Sequence, residues 1–131
     1  MLLVVAYITH GSLLHENRNY SVSTTTLQRA LDICRKLGLR RPGVAVHATE
    51  CLRLQSHNHR SLGLRLDAQR TAQEAVYLAD AAVQEETQLG KDQCSRCRNA
   101  LAHAYLDLGQ PAKALELWEQ VPFPTPNGAN N

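Results

Sequence analysis

The residues best suited to metal binding or catalysis in this chain are four cysteines and six histidines. Cys94 and Cys97 form a Cys-x-x-Cys motif, which is half of a common zinc site. No second motif of this kind completes it, and His57 and His59 stand in a predicted loop. Because a redox use would place the motif after a β-strand, and the sequence predicts none there, we interpret these cysteines as small packing residues. We predict no metal site and no cofactor.

The histidines lack the neighbours that acid-base or nucleophilic catalysis requires, although imidazole titrates near neutral pH. No Ser/His/Asp order, glycine-rich phosphate loop or His-Glu-x-x-His motif accompanies them. We therefore predict that the chain is not an enzyme, and the elements that would position these side chains become the main question.

The composition favours an all-α fold. A length of 131 residues suits one compact domain, and aromatic residues make up only 5% of the chain. Alanine and leucine are abundant, so the core must be built from small and aliphatic side chains, which helices can pack closely. The apolar start, MLLVVAYIT, is too short for a membrane span and lacks a cleavage site. We interpret it as a buried helix, with a strand as the alternative, and expect free thiols and a cytoplasmic location.

The stretch NALAHAYLDLGQPAKALELWEQV predicts a helical hairpin. A helix ends at Gly109, and Pro111 opens a second helix, where its missing N–H costs nothing. Ala114, Leu117 and Trp118 give the second helix one apolar face. Gly11, Leu14, Tyr20, Leu27 and Ala30 repeat the arrangement near the start of the chain.

A less regular third copy lies between these two hairpins. Its joining stretch, HNHRSLGLR, is longer than a tight hairpin needs, so we predict a repeat near 42 residues with an insertion of about 10. The prediction is an α-solenoid of about three hairpins, at residues 2 to 38, 43 to 88 and 92 to 121. Residues 1 to 121 would form the repeat domain, and the proline-rich residues 122 to 131 a disordered tail.

The order of Ala102, Tyr105, Gly109, Ala114 and Trp118 resembles a tetratricopeptide repeat. Residues 87 to 121 are similar to the longer repeats of the kinesin light chain type, in which an LGKDHP turn leads into NNLA and a tyrosine. This resemblance implies an all-α superhelix that binds peptides or proteins in its inner groove, without catalysis. A sensor domain of a transcription regulator is a further possibility that it implies.

The first helices of stacked hairpins line such a groove, and their residues that the core does not use are free to bind a partner. His103 is predicted to point into it as a peptide contact. The predicted partner-binding residues are polar and of mixed charge: Thr9, Ser12, Glu16, Thr49, Arg53, Asn99, His103 and Asp107.

The charge distribution leaves a second function open. Residues 35 to 70 hold eight Lys and Arg against two acids, although the net charge is only +2. A basic segment could bind nucleic acid or another anionic ligand, but arginine is also common on exposed helix faces, which we favour. The main prediction is a protein or peptide ligand, with self-association or a longer parent chain as further possibilities, and no membrane partner.

Overall fold

A computed structural model of the chain describes residues 1–84 and 91–120, and this part is all α-helical. Its helices are α1 Leu2–Glu16, α2 Tyr20–Leu37, α3 Pro42–Ser61, α4 Arg65–Gln84, α5 Lys91–Asp107 and α6 Pro111–Gln120. They pair in chain order as three antiparallel hairpins that stack on one another, which confirms the predicted fold class. The predicted end of the second hairpin, at residue 88, and the predicted tail, 122 to 131, lie outside the described residues.

The same turn closes each of the three described hairpins. One residue per turn has a positive φ: Arg18 at 62°, Gly63 at 79° and Gly109 at 81°. In all three turns its N–H bonds the carbonyl three residues earlier, and the following N–H bonds the carbonyl five residues earlier. These positions lie 45 and 46 residues apart. The hairpins are therefore copies of one structural unit.

The predicted insertion in the middle hairpin is wrong. The stretch HNHRSLGLR is the last part of α3, which continues to Ser61, followed by a turn as short as the other two. Its many polar residues suggested a loop, but they occupy a helix whose contacts with the neighbouring hairpins satisfy them.

Small residues let the two helices of each hairpin approach closely. A Cβ added to Gly11 would stand 2.7 Å from the Leu27 side chain, so a larger residue would displace Leu27 from its packed position. The Ser23 hydroxyl donates to the Gly11 carbonyl at 2.7 Å, and the Ser56 hydroxyl donates to the Ala68 carbonyl at 2.8 Å. The buried small residues at this level are Gly11, Ser23, Ser56, Ala68, Ala102 and Ala114.

The stack is curved. The backbone of α3 approaches those of α1 and α5, whereas within the described residues the backbones of α2, α4 and α6 do not come into contact with one another. The first helices are therefore on the concave side, which we call the inner face. This is the side on which the sequence placed its candidate groove.

The helix α1 is buried on one side only, so two parts of the sequence prediction for the N-terminus need correction. The strand alternative is wrong, because residues 2 to 16 are helical. Val4 and Ile8 are buried, but Leu2, Leu3 and Leu13 are 88%, 56% and 53% exposed. The prediction of a buried helix therefore holds for the side that packs on α2 and α3.

The third hairpin buries less of its aromatic residues than the sequence predicted. Leu101, Ala102 and Ala114 are buried, as expected. Tyr105 and Trp118 are only half-buried, and the Lys113 ammonium lies 5.3 Å from the Tyr105 ring centroid. Both rings lie at the margin of the hairpin rather than in its centre.

Candidate functional site

A buried carboxylate on the inner face joins α5 to α3. Asp107 is the last residue of α5, and its side chain is 10% exposed. Its two oxygens accept hydrogen bonds from Arg53 Nε and His57 Nε2, each at 2.8 Å. The Arg60 guanidinium donates to the Asp107 backbone carbonyl at 2.9 Å. One residue thus fixes the end of α5 against three turns of α3.

The Asp107 carboxyl is held in its ionised form. Burial alone raises its pKa, but the hydrogen bond from His57 and the charge of Arg53 outweigh that effect, so the pKa lies below the ordinary value. Because the carboxylate already accepts hydrogen bonds from Arg53 and His57, its role is to stabilise the junction between hairpins rather than to bind a ligand.

The polar contacts continue from α3 to the first hairpin. His15 Nδ1 donates to Asn58 Oδ1 at 2.7 Å, and Asn58 Nδ2 donates to Ser23 Oγ at 2.9 Å. The His15 ring stands 6.1 Å from the His57 ring and 5.6 Å from the Tyr20 ring. A line of polar side chains therefore crosses all three hairpins on the inner side.

A cleft of about 220 Å³ opens between α3 and α5 beside this line. It contains two guanidinium groups, an imidazole, an amide and one carboxylate, so it offers hydrogen bonds of both kinds. The residues that line it are Val46, Thr49, Glu50, Arg53, Arg96, Asn99, Ala100 and His103.

Four of the eight predicted partner-binding residues meet in this cleft: Thr49, Arg53, Asn99 and His103. Thr49 differs from the expectation of an outward residue, because its side chain is fully buried and its hydroxyl donates to the Ala45 carbonyl at 2.8 Å. The structure thus places Thr49 at the floor of the cleft.

The other four predicted residues lie outside the cleft. Asp107 is next to it, through its contact with Arg53. On α1, Thr9 and Glu16 are exposed and Ser12 is half-buried, and the structure does not bring these three to the α3–α5 cleft. Whether any of the eight contacts a partner remains a prediction.

Trp118 supports one wall of the cleft from behind. Its Nε1 donates to Asn99 Oδ1 at 2.9 Å, and its ring packs edge-on against His103 with 5.2 Å between centroids. Burial and the nearby Arg53 charge lower the pKa of His103, although Asp107 opposes them. This shift favours the neutral form of the His103 ring, which can donate or accept a hydrogen bond.

Sequence reasoning missed His15, His57 and Asn58, which carry the line of polar contacts, and Arg96, which lines the cleft. His57 follows Arg53 by four residues, which puts both on one side of a helix. That spacing was a usable signal, but it was not applied because the stretch from residue 57 was interpreted as a loop.

The cysteines that the structure describes are core residues. Cys34 and Cys51 are fully buried, and burial raises the pKa of both thiols. Cys97 is buried against Ala45 and Ala82, while the side chain of Cys94 is outside the described part. Among the described side chains, no group of three or more histidine, cysteine and acidic residues could hold a metal ion.

The basic residues of this segment lie on more than one side of the stack. Arg35 pairs with Glu74 at 3.3 Å on the side of the second helices, whereas Arg53 pairs with Asp107 on the inner face. Arg70 lies 3.8 Å from Asp67. Several of the charges that suggested an anionic partner are thus balanced by acids, on different sides of the stack.

None of the helices in the described ranges combines the length and the apolar character that crossing a bilayer demands. No protein-family model matches the sequence, and no curated protein matches it either. A solved structure, the tetratricopeptide-repeat domain of Arabidopsis FLU, is similar over 92% of each chain, with 15% identical residues and a TM-score of 0.49. The description of this chain as stacked helical hairpins rests on its own turns and interhelix contacts.

Proposed function

We propose that this chain is a non-catalytic scaffold that binds a peptide or helix of a partner protein on its inner face. The observation that carries the proposal is the cleft between α3 and α5, where four candidate residues from two hairpins meet around about 220 Å³ of open space. The resemblance of residues 87 to 121 to kinesin-light-chain-type repeats supports the same class of function. We expect the protein to act in the cytoplasm.

The chemistry of the cleft suits a peptide better than a highly charged polymer. The Arg53 charge is balanced by Asp107, and Glu50 stands with Arg96 in the same lining. Asn99 and the neutral His103 supply hydrogen bonds without net charge. A peptide backbone, which presents carbonyl and N–H groups in alternation, matches this set of donors and acceptors.

The test is selection of binding peptides from a random library, with the full chain as bait. We expect the selected peptides to bind His103→Ala and Arg96→Ala at least tenfold more weakly than the wild type. Gln73→Ala is the matched control, because Gln73 is exposed on α4, on the other side of the stack. Equal binding by all variants would place the peptide site elsewhere.

The same peptides separate this proposal from binding of nucleic acid. Phosphate contacts make log affinity fall steeply with log salt concentration, whereas a nearly neutral cleft gives a shallow slope. We therefore expect peptide affinity to change less than about threefold between 50 and 200 mM salt. Salt-sensitive binding of a random DNA duplex, with no peptide selected, would favour the anionic-ligand alternative.

A further inference from the structure

The exposed side of α1 corresponds to a surface that the other two hairpins bury. Counting back from the shared turns, Leu3, Ala6, His10 and Leu13 of α1 correspond to Ala48, Cys51, Gln55 and Asn58 of α3, all of which are buried. The α5 residues at the last three of these positions are Cys97, Leu101 and Ala104, which are also buried.

In α1 this surface is open. Leu3 and Leu13 are 56% and 53% exposed, and Ala6 and His10 are exposed as well. The spacing of these four residues, at i, i+3, i+7 and i+10, places them along one side of the helix. On the same side of α3, Gln55 contacts α2, and on the same side of α5, Cys97 packs with Ala82 of α4. The exposed side of α1 therefore resembles one half of a junction between hairpins, without a helix packed on it.

The second helix of the last hairpin carries a matching open surface. In the α2–α3 junction, the Gln55 amide donates to the Thr24 carbonyl at 3.2 Å and to Gln28 Oε1 at 3.1 Å. The positions in α6 that correspond to Thr24 and Gln28 are Leu115 and Glu119. Leu115 is 57% exposed, and Glu119 is exposed.

From this correspondence we infer that a second copy of the chain docks head to tail, with its α6 on the exposed side of α1. In the docked register, Glu119 of one copy contacts His10 of the next. These two residues take the positions that Gln28 and Gln55 occupy in the α2–α3 junction. Leu115 then lies among the apolar residues of α1. The amide pair is replaced by an imidazole and a carboxylate, which can share a hydrogen bond, and apolar side chains on both helices leave water.

The geometry of this contact has a definite consequence for assembly. The two surfaces differ, so the interface is heterologous and each copy keeps one open end after pairing. Copies therefore add in a row that continues the stack of hairpins. A symmetric dimer, by contrast, would bury the same surface of both copies and stop at two.

The test uses two single variants of the full chain, Leu13→Asp and Leu115→Asp, each of which blocks one of the two surfaces. Because both residues are exposed, both variants should keep the helical circular dichroism spectrum of the wild type. In sedimentation-equilibrium runs across a concentration series, the average mass of the wild type should rise, and each variant alone should remain monomeric. An equimolar mixture of the two variants should form a heterodimer of twice the chain mass and nothing larger.

A charge exchange tests the register. His10→Glu should weaken association at least tenfold by opposing Glu119, and Glu119→Lys in the same chain should restore it. Leu66→Asp is the control, since Leu66 is 77% exposed on α4 and belongs to neither surface. Unchanged assembly of Leu115→Asp would indicate a symmetric α1 contact and overturn the inference. A monomeric wild type at all concentrations, or a mixture that forms no heterodimer, would overturn it too.

This inference and the proposed function fail separately. The docking residues lie outside the α3–α5 cleft, so Leu13→Asp and Leu115→Asp should bind selected peptides as the wild type does. Conversely, His103→Ala should assemble normally.

Discussion

The two junctions between hairpins in this molecule are stabilised in different ways. Where the first hairpin meets the second, Leu27, Leu31 and Leu52 are buried with Val44 in one apolar cluster. Where the second meets the third, α4 buries nothing larger than threonine, and α5 adds a single buried leucine, Leu101. Alanine removes little apolar surface from water, so burial alone contributes less at this second junction.

Polar contacts compensate at the second junction. The Asp107 carboxylate binds Arg53 and His57 across it, with side chains that are 10%, 23% and 31% exposed. Charge-assisted hydrogen bonds of this kind depend on geometry and on pH, whereas aliphatic packing does not. We therefore expect the first junction to set the overall stability and the second to respond to solution conditions.

The largest expected effect comes from the apolar junction. Leu27 is fully buried and packs on Gly11, so Leu27→Ala should lower the free energy of unfolding by about 2 to 5 kcal/mol. Urea denaturation followed by circular dichroism measures this. Leu66→Ala, at a site that is 77% exposed, is the control and should change little. A small effect of Leu27→Ala would mean that the first junction is not the stronger one.

A smaller effect, confined to the polar junction, is expected from Asp107→Asn. Losing the carboxylate leaves Arg53 and His57 without their charged partner, at a cost of about 1 to 3 kcal/mol. The chain has one tryptophan, Trp118 in the third hairpin, so its fluorescence reports on that hairpin. The fluorescence transition of the variant should shift to lower urea than the circular dichroism transition. Coincident shifts would show that the two junctions unfold as one unit.

The same contact predicts a pH dependence with a definite sign. The pKa of Asp107 is lower in the folded chain than its ordinary value of 3.8. The group therefore stabilises the fold fully above that value, and the contribution is lost as pH falls through the folded-state pKa. Between pH 5 and pH 3, the Trp118 transition should weaken in the wild type and weaken less in Asp107→Asn. An equal slope in both proteins would contradict the assignment.

The smallest effect is expected at the margin of the third hairpin. Trp118→Phe removes the hydrogen bond to Asn99 but keeps a ring against His103, so we expect a loss of about 0.5 to 1 kcal/mol by urea denaturation. Lys113→Ala, on the same helix, should change less, since its contact with Tyr105 is an exposed cation–π pair. A loss as large as that of Leu27→Ala would show that Trp118 is a core residue.

Helical periodicity and turn residues were enough to predict the three hairpins from the sequence. Gly109 and Pro111 marked one turn, and small residues such as Gly11 and Ala102 marked where helices approach. The middle turn was harder, because the polar residues of HNHRSLGLR are typical of a loop. The hydrogen bonds of His57 and Asn58 to the other hairpins explain why this polar stretch is helical.

The candidate site could be predicted only in part for a related reason. Spacing along α3 and α5 predicted one shared face for Arg53, Asn99 and His103, and all three line the same cleft. It could not show that Thr49 is buried, since spacing along a helix does not reveal which neighbouring helix covers a given side. It also could not anticipate that Arg53 and Asp107, residues 54 positions apart, bind each other.

That separation bears on the order in which the protein is completed during synthesis. The members of the apolar cluster that lie on α2 and α3 have all been synthesised by Leu54, so this part of the first junction can form while the rest of the chain is still being made. Asp107 is synthesised much later, and until then Arg53 and His57 lack the carboxylate that they bind. We expect the third hairpin to pack last, on first and second hairpins that have already folded.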